Sequence, residues 1–191
     1  MIVCCIFALF ACAKNDGGDD TANATVSTFQ DAIANTSPAF AKIETKVETS
    51  LGELKATFEI TYKEDGSAVI EYAYEKFNTI DEGAADEEKT TVEGTVTRAA
   101  DGTVSGDATA PDLSAVTAGT AIDLSAVKAE NVTISESGDT LTATVAKDDT
   151  DAVFGAEFPA DVTFVVTVNA GKVDSFTITY EGAEIKCNYN F

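Results

Sequence analysis

Histidine and tryptophan are absent from all 191 residues. Without an imidazole the chain has no Ser-His-Asp or Cys-His nucleophile and none of the histidine-based zinc sites. Basic residues are scarce, with 12 Lys and Arg against 33 Asp and Glu and a net charge of −21. A surface of that sign is repelled by nucleic acid and by anionic headgroups, which excludes DNA and RNA as partners. Of the four cysteines, Cys4, Cys5 and Cys12 crowd the start and Cys187 stands alone. That leaves no disulfide framework. Phosphate-cradling glycine motifs are missing too, and no cofactor is expected. No pair of carboxylates stands out on adjacent apolar strands, where burial would perturb their titration. The chain is therefore read as non-enzymatic and, with 45% hydrophobic residues, as having material for a real core.

What is present is alternation. A short helix comes first, over a stripe of Val26, Phe29, Ala32 and Ile33, with Ser27 and Gln30 spaced as a capping box and Pro38 ending it. The period then switches to two. Ala41, Ile43, Thr45 and Val47 alternate with Lys42, Glu44, Lys46 and Glu48, and Leu54, Ala56, Phe58, Ile60 and Tyr62 with Glu53, Lys55, Thr57, Glu59 and Thr61. Each is the pattern of a half-buried strand. Asp65-Gly66 signals a turn into Ile70, Tyr72 and Tyr74. An acidic loop, Asp81 to Glu88, and a polar, peripheral strand from Thr91 to Arg98 follow, then a turn at Asp101-Gly102.

The pentapeptide Asp-Leu-Ser-Ala-Val occurs at Asp112–Val116 and again at Asp123–Val127. Each copy opens on an Asp able to cap a helical turn. These turns are expected to plug Leu113, Val116, Leu124 and Val127 into the core. Asp148-Asp149-Thr150-Asp151 lacks the glycine and the distant Glu of a calcium loop, so it is read as a solvated turn with Asp151 as cap. No metal site is expected. Val132 to Val145 supplies two more strands. Val162–Val168, Phe176–Tyr180 and Ile185–Phe191, joined by tight turns, read as a meander. Ile185, Cys187, Tyr189 and Phe191 share an apolar face.

These strands each need an apolar face covered, and one short helix cannot cover a sheet of that size. The sheet must curl on itself or fold into two layers. The fold class is mainly β (α+β): a curled antiparallel sheet or half-barrel with one N-terminal helix and short helical plugs. A β-sandwich is the alternative.

The N-terminus carries one specific pattern. Met1 to Ala11 is apolar but shorter than the roughly 20 residues that span a bilayer. Its length fits the apolar region of a signal peptide. Leu9-Phe10-Ala11-Cys12 resembles the lipobox of bacterial lipoproteins. In that family the chain is cut before the cysteine and the thiol carries a diacylglycerol. The resemblance implies a signal peptide at 1–11, a lipidated, disordered tether at 12–25 and a single β-rich domain at 26–191. No Lys or Arg precedes Ile2, so an upstream start codon supplying one is expected.

The order of elements (helix, long amphipathic strands, plugs, closing meander) is similar to the LolA/LolB-like lipoprotein carrier and receptor fold. That resemblance spans most of Val26 to Phe191 and implies an apolar or lipid-like ligand in the curled sheet. Phe58, Ile60, Tyr72, Phe164 and Phe176 are the inward aromatic and aliphatic residues expected near it. The alternative is a surface interaction or adhesion module with a filled core. Both place a monomer on the extracytoplasmic face of a cell membrane, anchored through diacylglycerol on Cys12. Changing Cys12 to Ala is expected to abolish palmitate labelling and release the protein from membranes. Labelling that persists in the variant would refute the lipobox assignment.

Overall fold

Alternation of apolar and polar residues becomes ten antiparallel strands in the computed structural model, which describes residues 22–78, 88–107, 122–135 and 137–191. They are β1 (Phe40–Thr49), β2 (Gly52–Tyr62), β3 (Ala68–Phe77), β4 (Lys89–Arg98), β5 (Val104–Gly106), β6 (Val132–Ile134), β7 (Thr140–Val145), β8 (Val162–Asn169), β9 (Lys172–Tyr180) and β10 (Ala183–Asn190). All ten belong to one sheet in the order β5-β4-β3-β2-β1-β10-β9-β8-β7-β6. Two five-strand meanders thus meet where β1 pairs with β10. The short strands β5 and β6 end the sheet on opposite sides, so it stays open rather than closing into a barrel. A single sheet sets aside the β-sandwich alternative.

The pairing register puts one apolar row straight across the sheet. Gly94 faces Tyr72, Tyr72 faces Phe58, and Phe58 faces Ile43. The row continues through Cys187, Phe176, Val166, Leu141 and Ile134. Because side chains alternate with period two, the opposite face receives the charges. There Lys42 lies 3.3 Å from Glu44, Lys46 2.6 Å from Glu53, Lys55 3.0 Å from Glu53 and Lys186 2.8 Å from Glu184. Exposed pairs of this kind add little stability. Their effect is to keep a wide sheet face wetted and its register specified.

Helix α1 (Ala22–Ala34) buries Phe29, Ala32 and Ile33 against β8, β9 and a 3₁₀ turn at Leu124–Ala126. Removing a side chain such as Phe29 or Ile33 from water contributes about 1.5–3 kcal/mol. Two polar residues, the buried Thr36 and the half-buried Gln30, fix its position. Thr36 donates to the Ala32 carbonyl at 2.7 Å and accepts from the Val173 amide at 3.0 Å, tying the helix end to β9. Gln30 spans the crossover segment: its Nε2 donates to the Ile122 carbonyl at 3.1 Å, and its Oε1 accepts from the Leu124 amide at 2.7 Å. Ser27 and Gln30 therefore do not form the expected capping box. The helix starts earlier, at Ala22, inside the stretch read as tether, and Gln30 serves a tertiary clamp.

Several local readings are met. Asp123 accepts from the Ser125 amide at 2.9 Å and caps its 3₁₀ turn, burying Leu124. Ala170 (φ 50°) and Gly171 (φ 76°) make the two-residue turn between β8 and β9, whose paired positive φ angles match the sheet twist. Others are corrected. Helix α2 (Thr150–Phe154) buries Val153 and Phe154, but Asp151 lies within it and is not its cap. The buried Thr150 hydroxyl organises this corner instead, donating to the Lys147 carbonyl at 2.7 Å and accepting from the Phe158 amide at 3.0 Å. Phe191 is 53% exposed, past the end of β10, with the Lys172 ammonium 4.4 Å from its ring centroid. The strand β5 was not anticipated. Cys12 and the segments around it, most of the acidic loop and the first Asp-Leu-Ser-Ala-Val copy lie outside the described residues.

Gln30→Leu keeps the side-chain volume but strands a buried carbonyl and amide. It is expected to lower unfolding free energy by about 1–3 kcal/mol in urea titrations. A loss below about 0.5 kcal/mol would show that the clamp does not hold the crossover.

Candidate ligand-binding face

The candidate site is the inner, apolar face of the sheet. Phe58, Ile60, Tyr72, Phe164 and Phe176 all project onto it, and none is more than 3% exposed. They fall into two groups. Phe58 and Tyr72 face each other across β2 and β3, with Ile60 opposite Ile70 in the next row. Phe164 and Phe176, on β8 and β9, have ring centroids 6.1 Å apart. Ile43 of β1 and Cys187 of β10 separate the two groups along the row.

The two halves are built differently. On the β8–β9 side, aromatic rings interlock: Phe154 packs edge-on against Phe158 at 5.3 Å and against Phe164 at 5.8 Å, and Phe158 against Tyr180 at 5.1 Å. Such geometry matches ring edges to ring faces. With α1 and the Leu124 turn above it, this half is a packed core. On the β2–β4 side, Tyr72 and Tyr74 stack at 6.2 Å. The Tyr72 ring lies over Gly94, where an added Cβ would overlap its hydroxyl end. A ring laid across a strand glycine fills the space that the missing side chain leaves.

Polar groups on the inner face are few. Cys187 is fully buried, and burial pushes its thiol up to about 12. The Tyr62 hydroxyl is buried without a hydrogen-bond partner among the described residues, and its titration is displaced upward by desolvation. Arg98 is 9% exposed at the end of β4. The alternation Val92, Gly94, Val96, Arg98 gives Arg98 the parity of the inner face. The sequence reading set this strand aside as polar and peripheral because threonines fill its other face.

Elsewhere, the carboxylates whose titration is perturbed are turn residues. Asp65, Asp101 and Asp139 are held below the usual range by hydrogen bonds from Ser67, Thr103 and Ser137 respectively. Such bonds stabilise the ionised form and suit a turn, not a general acid. A shallow outer-face depression is lined by Thr57, Glu59, Glu71, Glu93 and Thr95. Among the described residues no group of His, Cys, Asp and Glu is arranged to hold a metal ion, and no helix is long and apolar enough to cross a membrane.

No family model matches the chain, and no curated protein is similar to it at a significant level. Among solved structures the chain is similar to LprF from Mycobacterium bovis, at 10% identity over 90% of this chain and 93% of that one, with a TM-score of 0.40. It is also similar to a porin-like protein from Bacteroides uniformis, at 14% identity over 81% and 96% of the two chains, TM-score 0.26. A third is a domain described as an outer membrane lipoprotein-sorting protein from Vibrio parahaemolyticus, at 10% identity over 90% and 92%, TM-score 0.26. At these scores the likeness carries no functional argument.

The buried thiol gives a direct check on the inner face. Folded protein is expected to resist thiol reagents at pH 8 and to react only once unfolded. Because the folded thiol titrates above its unfolded value of 9.0, its contribution is fully present below pH 9 and is lost as pH rises toward 12. Cys187→Ala should therefore flatten part of the alkaline loss of stability, and Cys187→Asp should be far worse tolerated than Ala because it buries an unpaired charge. Rapid labelling of the native protein would place Cys187 on the wrong face.

Proposed function

We propose that this chain is a non-enzymatic lipoprotein of the bacterial envelope. It is anchored through acylated Cys12 on the extracytoplasmic face of a membrane and holds an apolar or lipid-like ligand against the inner face of its curled sheet. The observation that carries the reading is the unbroken apolar row from Tyr72 to Ile134 on one side of an open ten-stranded sheet. An open sheet of that width gives an apolar ligand a broad apolar surface to lie against, if inner-face contacts are exchanged for ligand contacts. Two acyl chains on Cys12 make a stable anchor where one would be reversible, and a chain of net charge −21 needs such an anchor to stay at an anionic surface.

Within this reading the β2–β4 half, with Phe58, Ile60 and Tyr72, is the ligand side, and Phe164 and Phe176 belong to the supporting core. A second reading, an interaction module with a filled core, is favoured by one specific observation: Phe58, Ile60 and Ile70 are fully buried without any ligand.

Ala56 separates the two. It is 8% exposed and sits on the inner face between Thr45 and Tyr74. If the β2–β3 side opens to a ligand, Ala56→Trp should cut saturable binding of a fluorescent fatty acid to delipidated protein while leaving most stability. In a filled core the same change overpacks and costs about 1–3 kcal/mol. Absence of saturable binding in the parent protein, with strong destabilisation by Ala56→Trp, would favour the interaction module.

A further inference from the structure

One side of the sheet ends in a mismatch of lengths. Strand β4 runs from Lys89 to Arg98, but β5 pairs only with Val96, Thr97 and Arg98. Pairing stops at Gly106, whose φ of 137° lies outside the extended range of other residues. A Cβ on Gly106 would lie 2.8 Å from the Thr95 carbonyl oxygen, so only glycine fits that close approach. Lys89–Thr95 is left with no strand beside it among the described residues. Hairpin bonding sets which groups point outward. The Ala99 amide donates to the Thr103 carbonyl at 2.8 Å across the β4–β5 turn. In an antiparallel ladder such groups recur at every second residue. Thr91, Glu93 and Thr95 therefore aim both backbone N–H and C=O away from β3, at the open edge. Natural edges are blunted by proline, by bulges or by charge. This one has no proline, its register with β3 is unbroken from Lys89 to Arg98, and its only cation is Lys89 at one end. Thr90, Thr91, Val92 and Thr95 are good strand formers.

The outer face beside this edge has a distinct charge pattern. Over β10, β1 and β2, lysines and glutamates alternate and pair. Over β2, β3 and β4, carboxylates meet carboxylates. Glu59 lies directly opposite Glu71, and Glu93 is the diagonal neighbour of Glu71 across β3 and β4. Like charges placed opposite one another are destabilising. Lys42, 3.8 Å from Glu59, is shared with Glu44. Glu71 and Glu93 are exposed and have no ion pair among the described residues.

We propose that the open edge of β4 takes up an extended segment of another protein as an added antiparallel strand, with Lys or Arg at alternate positions of that segment. The unpaired backbone groups supply the docking bonds, and the charge pattern selects the occupant. In an antiparallel ladder the residue opposite Glu93 exchanges both backbone bonds with it and shares its face. A basic side chain there pairs with Glu93, and one opposite Thr95 is directed over the threonine toward Glu71. The intervening positions face Val92 and Gly94 on the inner side, where the Tyr72 ring covers the glycine, and they take apolar residues. A second copy of this chain brings a net charge of −21 and its own Glu93 to the same edge, which opposes self-pairing. The site is independent of any ligand on the inner face.

The test uses the full chain carrying Cys12→Ala and capped peptides of sequence Thr-Lys-Val-Lys-Val-Lys-Val-Lys-Thr. In the free protein the amides of Thr91, Glu93 and Thr95 are expected to exchange with deuterium as fast as exposed amides. The lysine peptide should bind saturably and slow all three about tenfold or more. A peptide with Glu in place of Lys should not bind. N-methylation of the lysine amides should abolish binding, whereas N-methylation of the valine amides, which point away from β4, should not. Glu71→Gln with Glu93→Gln should weaken the lysine peptide about fivefold. Thr91→Pro removes one outward N–H and leaves the β3 ladder intact, a change an edge tolerates, and it should abolish binding. If that variant does not fold, the two methylated peptides carry the test. Slow exchange of the three amides in the free monomer shows the edge already covered by its own chain and overturns the proposal. Protection that rises with protein concentration alone makes a second copy the occupant and overturns it too. So does equal binding of lysine and glutamate peptides, binding that survives methylation of the lysine amides, or no binding at all.

Discussion

Everything in this fold follows from one constraint: a ten-stranded sheet carries its apolar residues on a single face, and that face has to be kept from water. Period-two alternation sets it up, and antiparallel register aligns the apolar positions of nine successive strands into one row. Both halves of the face are kept from water, Phe58, Ile60 and Ile70 as fully as Phe164 and Val166, but they are built differently. Over β8 and β9 the chain lays α1, the Leu124 turn and the Phe154–Phe158 corner, locked by Thr36, Gln30 and Thr150. These three residues are polar, yet each replaces a backbone partner that a loop or helix end would otherwise lack in a dry interior. The core on that side is a closed structure. The β2–β4 side holds instead a tyrosine stack, a glycine roofed by Tyr72 and the inward Arg98.

That asymmetry links folding to function in the proposed reading. A ligand holder needs one rigid half to maintain register and one half whose apolar face can exchange protein contacts for ligand contacts. The outer face serves a different end. Its alternating lysines and glutamates keep a broad sheet surface charged, which discourages sheet-on-sheet stacking and edge pairing. The edge strands β5 and β6 are three residues each, too short to template another chain, and the longer open edge is the part of β4 that β5 leaves uncovered.

Much of the fold was legible from residues alone. Strong alternation in Ala41–Thr49, Leu54–Tyr62 and Val162–Val168 sets strand and face together, and Asp65-Gly66 marks its turn by backbone preference. What was not legible is mostly long-range. The capping-box spacing of Ser27 and Gln30 is local, and it lost to a tertiary use of Gln30 that depends on where the crossover passes. Thr36 and Thr150 look like ordinary polar residues until the strands they serve are placed beside them. Asp151 looks like a cap because the sequence does not reveal that the helix begins one residue earlier. Phe191 shows the limit of periodicity: it has the right parity but lies beyond the last paired residue. The site was legible in part. Parity puts Phe58, Ile60 and Tyr72 on the inner face, but cannot say which half of the sheet is covered. Arg98 had the parity of Val92 and Val96, and its charge hid it.

The central claim is that the inner face beside β2, β3 and β4 takes up an apolar ligand. The most direct measurement is a crystal structure of the protein after saturation with palmitate. The account predicts continuous chain-like density along Ile60, Ile70, Phe58 and Tyr72. A structure in which that face is covered by protein side chains alone, with no density after saturation, would contradict it.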